Sequence, residues 1–281
     1  LFASIEEHAG EVLAGQWGAK YTPLEVAQWL DDLAASVEAD LVAAGAANDV
    51  ETRRLMIDVR ILAGLGRFFA AKFRAGVLFA IHQHTMNGGA LHEAIEQYRI
   101  ARTAWAGLCE HARVYADDLS VSDKYSERRH WIEQLPSIDA DIARLEKLPA
   151  SAAGDARVSE AVRLALGAPR ARSAPITHNP QVRFQRNQAL SLSVAAAQGR
   201  AVTSVRCYYR HVNQAERWQD VEMVAEAGMH RCVIPAAYTD SPYPLQYYFA
   251  STEASGAIDL YPGLGPDLTD EPYFVVRAPR G

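Results

Sequence analysis

Cysteine is scarce in this sequence, with Cys109, Cys207 and Cys232 the three present among 281 residues. They stand too far apart for a C-x-x-C redox or zinc motif and are too few to frame a fold with disulfides, so they do not indicate a compartment. No stretch approaches the roughly 18 unbroken apolar residues that mark a membrane span, and a soluble protein is expected. Basic charge is also short: 28 Lys and Arg stand against 34 Asp and Glu, a formal net charge of -6, which argues against a general nucleic-acid binder. Arg outnumbers Lys 24 to 4, a compositional bias rather than a phosphate-reading surface. The motifs G-x-x-x-x-G-K, G-x-G-x-x-G and G-x-S-x-G are missing, which removes local support for nucleotide or serine-hydrolase chemistry. The first segment has neither the basic start nor the apolar run of a signal peptide, and a chain opening on Leu1 reads as a piece of something longer.

What is present is an ordinary globular composition, 49% hydrophobic and 22% charged. A chain of this length can bury about three quarters of its unfolded surface and needs neither disulfides nor a structural metal to fold. Residues 1–148 read as helix almost throughout. Ser4 with Glu7, and Thr22-Pro23-Leu24-Glu25, are helix-start signals that predict helices near 4–14 and 23–44. The next helix, about 50–86, carries Leu55, Val59, Leu62, Gly66, Phe69, Phe73, Gly76 and Ala80 in steps of four and three, a stripe expected to face a neighbour, with Gly66 and Gly76 allowing close approach. Ile57, Ile61, Leu65, Phe68 and Val77 occupy its other faces, so the helix is expected at the centre of a bundle. After a turn at Met86-Asn87-Gly88-Gly89, Leu91, Ile95, Tyr98, Arg102, Trp105, Cys109 and Ala112 repeat the spacing on a partner helix. A short helix from Ser137, with Ile138, Ile142 and Leu145 on one face, closes the bundle.

Residues 149–174 are rich in Ala and Pro and read as a linker or a surface crossing, in which Val158 to Leu166 alone could make a helical turn or two. Beyond them the hydrophobic period becomes two, at 190–194, 205–209, 221–223, 232–234, 245–249 and 273–276. Short alternating strands separated by Pro, Gly, Asn and Asp indicate an antiparallel β-sandwich of immunoglobulin or fibronectin type III kind. The expected fold class is therefore α+β: a helical bundle over 1–148, a linker over 149–174 and an Ig-like β-sandwich over 175–281. Charge divides the same way, 15 basic against 22 acidic residues in 1–150 and 13 against 12 in 151–281.

Site chemistry is thin. His82 and His84 lie about 200° apart on a helix and cannot share an ion, so no metal site is assigned. Arg102 interrupts an apolar stripe and must snorkel to the rim or be paired, with an acidic residue such as Asp58 on the facing helix or, alternatively, with a ligand anion. The segment 115–136 gathers Asp117, Asp118, Asp123, Glu127, Arg128, Arg129, His130 and Trp131, in a stretch long enough to be functional. Adjacent Asp117 and Asp118 rarely face one substrate from the 5 to 10 Å separation that paired-carboxylate catalysis needs, and no catalytic residue is assigned. Arg129, His130 and Trp131 are instead candidate ligand contacts. In the β half, the polar loop from Tyr209 to Trp218 supplies His211 and Trp218, and the Tyr261-Pro262-Gly263 turn supplies Tyr261, as candidates for a sugar face. No cofactor is implied.

Two stretches carry a family resemblance. Leu65 to Ile142, especially Phe69-Ala70-Ala71-Lys72-Phe73-Arg74-Ala75 and His130-Trp131 through Leu135-Pro136-Ser137-Ile138-Asp139-Ala140-Asp141-Ile142, resembles a helical domain near the C-terminus of large bacterial proteins associated with polysaccharide breakdown. Tyr208-Tyr209-Arg210-His211-Val212-Asn213-Gln214 to Trp218, Ile234-Pro235-Ala236, Tyr238 to Pro244 and Tyr247-Tyr248-Phe249 is similar to the Ig-like module that follows it. The resemblance implies a non-catalytic accessory region of a glycoside-hydrolase-like protein, partnered by a catalytic domain upstream in the same chain and by polysaccharide. A protein-interaction or cell-surface scaffold, and an independent enzyme using the 115–136 loop, are the alternatives.

Overall fold

The computed structural model describes residues 1–115, 119–120, 128–151, 155–172, 175–265 and 267–278. The chain is α+β, with helices in its N-terminal half and antiparallel sheets in its C-terminal half. It separates into two compact units, one of Phe2–Gln16 with Tyr21–Arg170, the other of Leu1, Trp17–Lys20 and Ala171–Gly281.

The helices begin where side chains satisfy their free N–H groups. Ser4 caps α1 (Ile5–Ala14) by accepting from the Glu7 N–H at 3.1 Å. Thr22 and Glu25 form a reciprocal capping box at the start of α2 (Pro23–Ala44), with bonds of 3.2 and 2.7 Å. Asp49 caps α3 (Val50–Thr85) through the Thr52 N–H at 2.8 Å. Asn87 caps α4 (Gly88–Ala112) through the Ala90 N–H at 2.9 Å, so Gly88 and Gly89 are already helical and the reversal is confined to Met86, with φ of 56°, and Asn87.

Helices α3 and α4 form a hairpin that buries Phe68, Leu91, Tyr98, Trp105 and Leu108 in one cluster, to which α5 (Leu135–Leu145) adds Ile138 and Ile142. A second cluster joins Val12 of α1, Leu24 of α2 and Leu78 and Ile81 of α3. Within the stretch read as a linker, Asp155 caps α6 (Ala156–Leu166), whose Val158, Ala161 and Ala165 enter this cluster. The helical turns expected at 158–166 thus belong to this helix, which its Ala content favours.

The α3 stripe is only partly buried. Leu55 and Leu62 are 63% and 65% exposed, whereas Gly66 and Gly76 do approach neighbours: an added Cβ would lie 3.3 Å from the Leu30 carbonyl oxygen and 2.8 Å from Ile5 Cδ1 respectively. A stripe stepping by sevens drifts about 20° per heptad around a straight helix, so over 36 residues it rotates from solvent onto a neighbour. Burial falls instead on Ile61, Phe68 and Val77 of the other faces. Arg102 has the acidic partner expected of it, but this is Asp139 of α5, in a bidentate pair at 2.9 and 3.2 Å, while Asp58 on the facing helix accepts from the Tyr115 hydroxyl at 2.5 Å.

Between α4 and α5, β1 (Leu119–Ser120) pairs antiparallel with β2 (Arg128–Arg129), and Trp131–Gln134 makes a 3-10 turn. The second unit holds two antiparallel sheets. One runs in the order β3 (Ile176–His178), β4 (Leu190–Ala196), β8 (Met229–Ile234), β7 (Val224–Glu226). The other runs β10 (Ile258–Tyr261), β9 (Leu245–Glu253), β5 (Val202–His211), β6 (Gln219–Glu222), with β11 (Phe274–Val276) also on β9, and a short helix α7 (Ala236–Thr239) lies between β8 and β9. One apolar core includes Leu192, Val194 and Ile234 of the first sheet and Val205, Cys207, Tyr247 and Phe249 of the second. The strand expected at 221–223 is divided: β6 pairs with β5 and β7 with β8, so the chain passes from one sheet to the other at buried Met223.

Candidate functional site

The candidates of the helical unit serve mainly to anchor backbone. Arg129 is placed by its main chain, which pairs with Leu119. Asp117, Asp118, Asp123 and Glu127 lie outside the described residues. His130 Nδ1 accepts from the Ile132 N–H at 3.2 Å and its Nε2 donates to the Ala112 carbonyl at 3.2 Å, tying the 3-10 turn to the end of α4. Trp131 packs with its ring 5.5 Å from that of Trp105, whose Nε1–H donates to the Trp131 carbonyl at 2.9 Å. His130 thus has both ring nitrogens engaged, and Trp131 is held by its ring and its carbonyl. His82 and His84 part company as their helical spacing requires, His82 Nδ1 meeting the Asn87 carbonyl at 3.0 Å and His84 Nε2 the Glu6 carboxylate at 3.1 Å.

In the β unit the structure brings two candidates into one network. At the end of β5, His211 Nδ1 meets both Glu216 carboxylate oxygens at 2.9 and 3.0 Å, its Nε2 meets the Tyr238 carbonyl at 3.1 Å, and its ring stacks on Tyr238 at 4.5 Å. Burial works against the Glu216 charge, but the side-chain and backbone N–H groups of His211 prevail and hold its carboxyl below the usual range. Burial, with the Glu216 charge beside it, pushes the Tyr238 hydroxyl up to about 12. The Glu216 carbonyl in turn accepts from Arg210 Nη1 at 3.1 Å, and the Arg210 guanidinium lies over the Trp218 ring at 4.5 Å. Trp218 meets Tyr248 edge-on at 4.8 Å, and Tyr248 stacks flat on Tyr208 at 4.9 Å. Gln246, with its amide oxygen toward Arg210, accepts at 2.5 and 3.0 Å.

This arrangement is an aromatic shelf on one face of β5 and β9, completed by Trp218 immediately before β6 and braced by a guanidinium. Beside it Arg206 pairs with Asp220 at 2.5 Å and Glu222 at 3.0 Å. Tyr261 stands apart from the network, its ring 5.7 Å from Phe274 at the edge of the core. Glu216, Tyr238 and Gln246 are not singled out by sequence; strand alternation places Arg210 outward but carries no information about a partner 36 residues away.

Two cavities of the helical unit are also not visible from the residue pattern. One, of about 720 Å3, includes Asp31, Arg74, Glu96, Gln97 and Arg99 in its walls. Its guanidinium groups are engaged, Arg74 with Asp31 at 2.6 Å and Arg99 with Glu96 and Glu146. The other, of about 380 Å3, is lined mainly by Phe and aliphatic side chains together with Lys72, Tyr98, Asp141 and Arg144. Among the described residues no group of three or more His, Cys, Asp or Glu is placed to hold a metal ion, and no helix is long and apolar enough to cross a membrane.

No protein-family model matches the chain. No curated protein matches it significantly. Among solved structures, the superoxide reductase (neelaredoxin) from Ignicoccus hospitalis aligns over 38% of this chain and 81% of its own, with 5% identity and a TM-score of 0.27. A GH138 enzyme targeting pectin rhamnogalacturonan II aligns over 83% of this chain with 12% identity and a TM-score of 0.43, and this chain spans 35% of that enzyme's length. Likenesses at these scores assign neither chemistry nor substrate to the chain.

Proposed function

We propose that this chain is a non-catalytic accessory region of a carbohydrate-active protein, in which a helical domain and an Ig-like β-sandwich support or extend a substrate cleft formed by a catalytic domain of the same polypeptide. The carrying observation is that the polar candidates with described side chains serve architecture: His130 and Trp131 hold a turn to α4, and His211 with Glu216 closes a loop. A glycosidase instead needs two carboxyl groups left to face one glycosidic bond, one of them with a raised pKa. The resemblance of 65–142 and 208–249 to the C-terminal modules of polysaccharide-degrading proteins supports the same reading. The domain boundary in this proposal lies near Arg170, between α6 and β3, where the two compact units meet in the sequence.

Glycan contact falls to the aromatic shelf, with Trp218 as its principal ring, because stacking on an indole is the contribution a shallow site replaces least. The test combines two measurements. Aryl-glycosides and a panel of plant and bacterial polysaccharides should not be hydrolysed by this chain above blank, and affinity electrophoresis should show weak retardation by at least one polysaccharide that Trp218→Ala removes. Turnover that disappears in Asp117→Ala or Asp118→Ala would overturn the accessory reading in favour of an enzyme using the 115–136 loop.

A second reading, a protein-interaction scaffold, is favoured by one observation. Leu55, Leu62 and Phe69, seven apart on α3, are 63%, 65% and 43% exposed and form an apolar stripe. Concentration-dependent self-association abolished by Leu62→Glu, with no retardation by any polysaccharide, would replace the accessory reading with this one.

A further inference from the structure

Phe69, Lys72, Phe73 and Gly76 follow one another at i, i+3, i+4 and i+7 and so share a face of α3. An aromatic face of this kind is ordinarily closed by a neighbouring helix. Here it borders a cavity of about 380 Å3, within the size range of small-molecule sites, and Phe69 is left 43% exposed. At Gly76 the wall is completed by Ile5 of α1, which occupies the space that a side chain would fill, 2.8 Å from an ideal Cβ.

Charge on the walls is unbalanced in a particular way. Asp141 is the single carboxylate of the lining, and both its oxygens are engaged: Oδ2 accepts from the Tyr98 hydroxyl at 3.0 Å and Oδ1 pairs with Arg144 at 2.7 Å. Burial and the Asp141 carboxylate push the Tyr98 hydroxyl up to about 12, so Tyr98 remains a donor to Asp141 at neutral pH. Lys72 has no carboxylate partner among the described residues; its ammonium lies over the rings of Phe68 and Tyr98, 5.3 and 5.7 Å from their centroids. Ring faces attract a cation but do not neutralise it, so Lys72, an exposed residue, sets one positive charge without a carboxylate partner among the described residues beside an apolar surface.

We propose that this cavity is a binding site for a small amphipathic carboxylate, an aromatic or branched apolar body carrying one carboxylate group. The apolar body lies against Phe69, Phe73 and Phe79, and the carboxylate reaches the Lys72 ammonium, exchanging two cation-π contacts for a charge-assisted hydrogen bond. A neutral ligand forfeits that bond, and a cationic one meets Lys72 and Arg144. The proposal does not depend on the accessory reading, since glycan binding at Trp218 involves the other compact unit.

Isothermal titration of the full chain with 3-phenylpropionate, 3-phenyl-1-propanol and 3-phenylpropylamine tests it. At about 11 non-hydrogen atoms, the acid is expected to bind with a Kd of roughly 0.1–1 mM. The alcohol should bind at least fivefold more weakly, and the amine should give no saturable heat. Lys72→Gln should weaken the acid at least fivefold and leave the alcohol unchanged, whereas Lys147→Gln, on a lysine outside the lining, should alter neither. Circular dichroism melts confirm that each variant is folded. No saturable binding of the acid up to about 5 mM, a smaller preference over the alcohol, or acid binding that survives Lys72→Gln would overturn the proposal.

Discussion

Cys207 of β5 and Cys232 of β8 lie in the same apolar core, so each of the two sheets contributes one free, buried thiol to it. Cys207 is 0% and Cys232 7% exposed, and enclosure among apolar side chains disfavours the thiolate and bars reagent from the sulfur. A protonated, enclosed thiol is a poor nucleophile. Alkylation of the native protein without reductant should therefore leave both unmodified, and alkylation after denaturation should add three equivalents, one for each free cysteine. Two missing equivalents, with a mass two units low, would show a disulfide instead.

Stability should fall in mild acid because of His8. Both its ring nitrogens are buried without a hydrogen-bond partner, and desolvation lowers its pKa from 6.5 to about 4 despite the opposing influence of Glu25. The folded state therefore binds this proton less readily than the unfolded chain. The contribution is fully present above pH 6.5 and is lost as pH falls through about 4, the loss by then amounting to about 3 kcal/mol. Urea midpoints measured from pH 7 to pH 4 should show this decline, and His8→Leu should flatten it. An unchanged slope in the variant would assign the acid sensitivity to other groups.

Two glycines in helix interiors should respond to alanine in opposite directions. A Cβ on Gly64 of α3 would stand 2.7 Å from Leu108 Cβ on α4, so Gly64→Ala is expected to cost about 1–3 kcal/mol by forcing the hairpin apart. Gly107 of α4 has nothing within 4 Å of the same position, and Gly107→Ala should stabilise by up to about 1 kcal/mol through helix propensity and reduced freedom of the unfolded chain. Thermal melts of the two single variants decide both signs.

The Trp105 to Trp131 contact should hold the 3-10 turn against α4. Trp105→Phe retains an aromatic ring beside Phe68, 4.8 Å away in the native protein, but leaves the Trp131 carbonyl without its indole donor. A loss of about 1–2 kcal/mol is expected. Hydrogen exchange should quicken at Ile132 to Gln134 more than in the middle of α3; equal acceleration in both would mean that the bond does not act locally.

Local features are legible in the residues. Ser4 and the Thr22–Glu25 box announce their helices because a cap involves residues three apart, and Cys207 alternates inward because strand side chains change face at each residue. The 36-residue length of α3 explains why its stripe is buried only in part, since a small angular drift matters only when it accumulates. Partnerships across the fold are not legible. Arg102 has several acids within reach of a plausible bundle, and the choice of Asp139 over Asp58 follows from where α5 lies, which no spacing within α4 encodes. Lys72 illustrates the same limit at a cavity: periodicity places Phe69 and Phe73 on one face but cannot show that the face remains open.

Met223 marks a point where chain connectivity constrains how the β unit comes apart. Its flanks hydrogen-bond to different sheets, Val221 lying opposite Cys207 and Val224 opposite Arg231, with two residues between them. Peeling either sheet away pulls on this short span before the shared core has opened, so partial opening of one sheet transmits tension to the other. The β unit should therefore lose its slowest-exchanging amides in a single cooperative event, and a backbone cut between Glu222 and Val224 should remove that coupling while leaving the remaining strand order of each sheet unaltered.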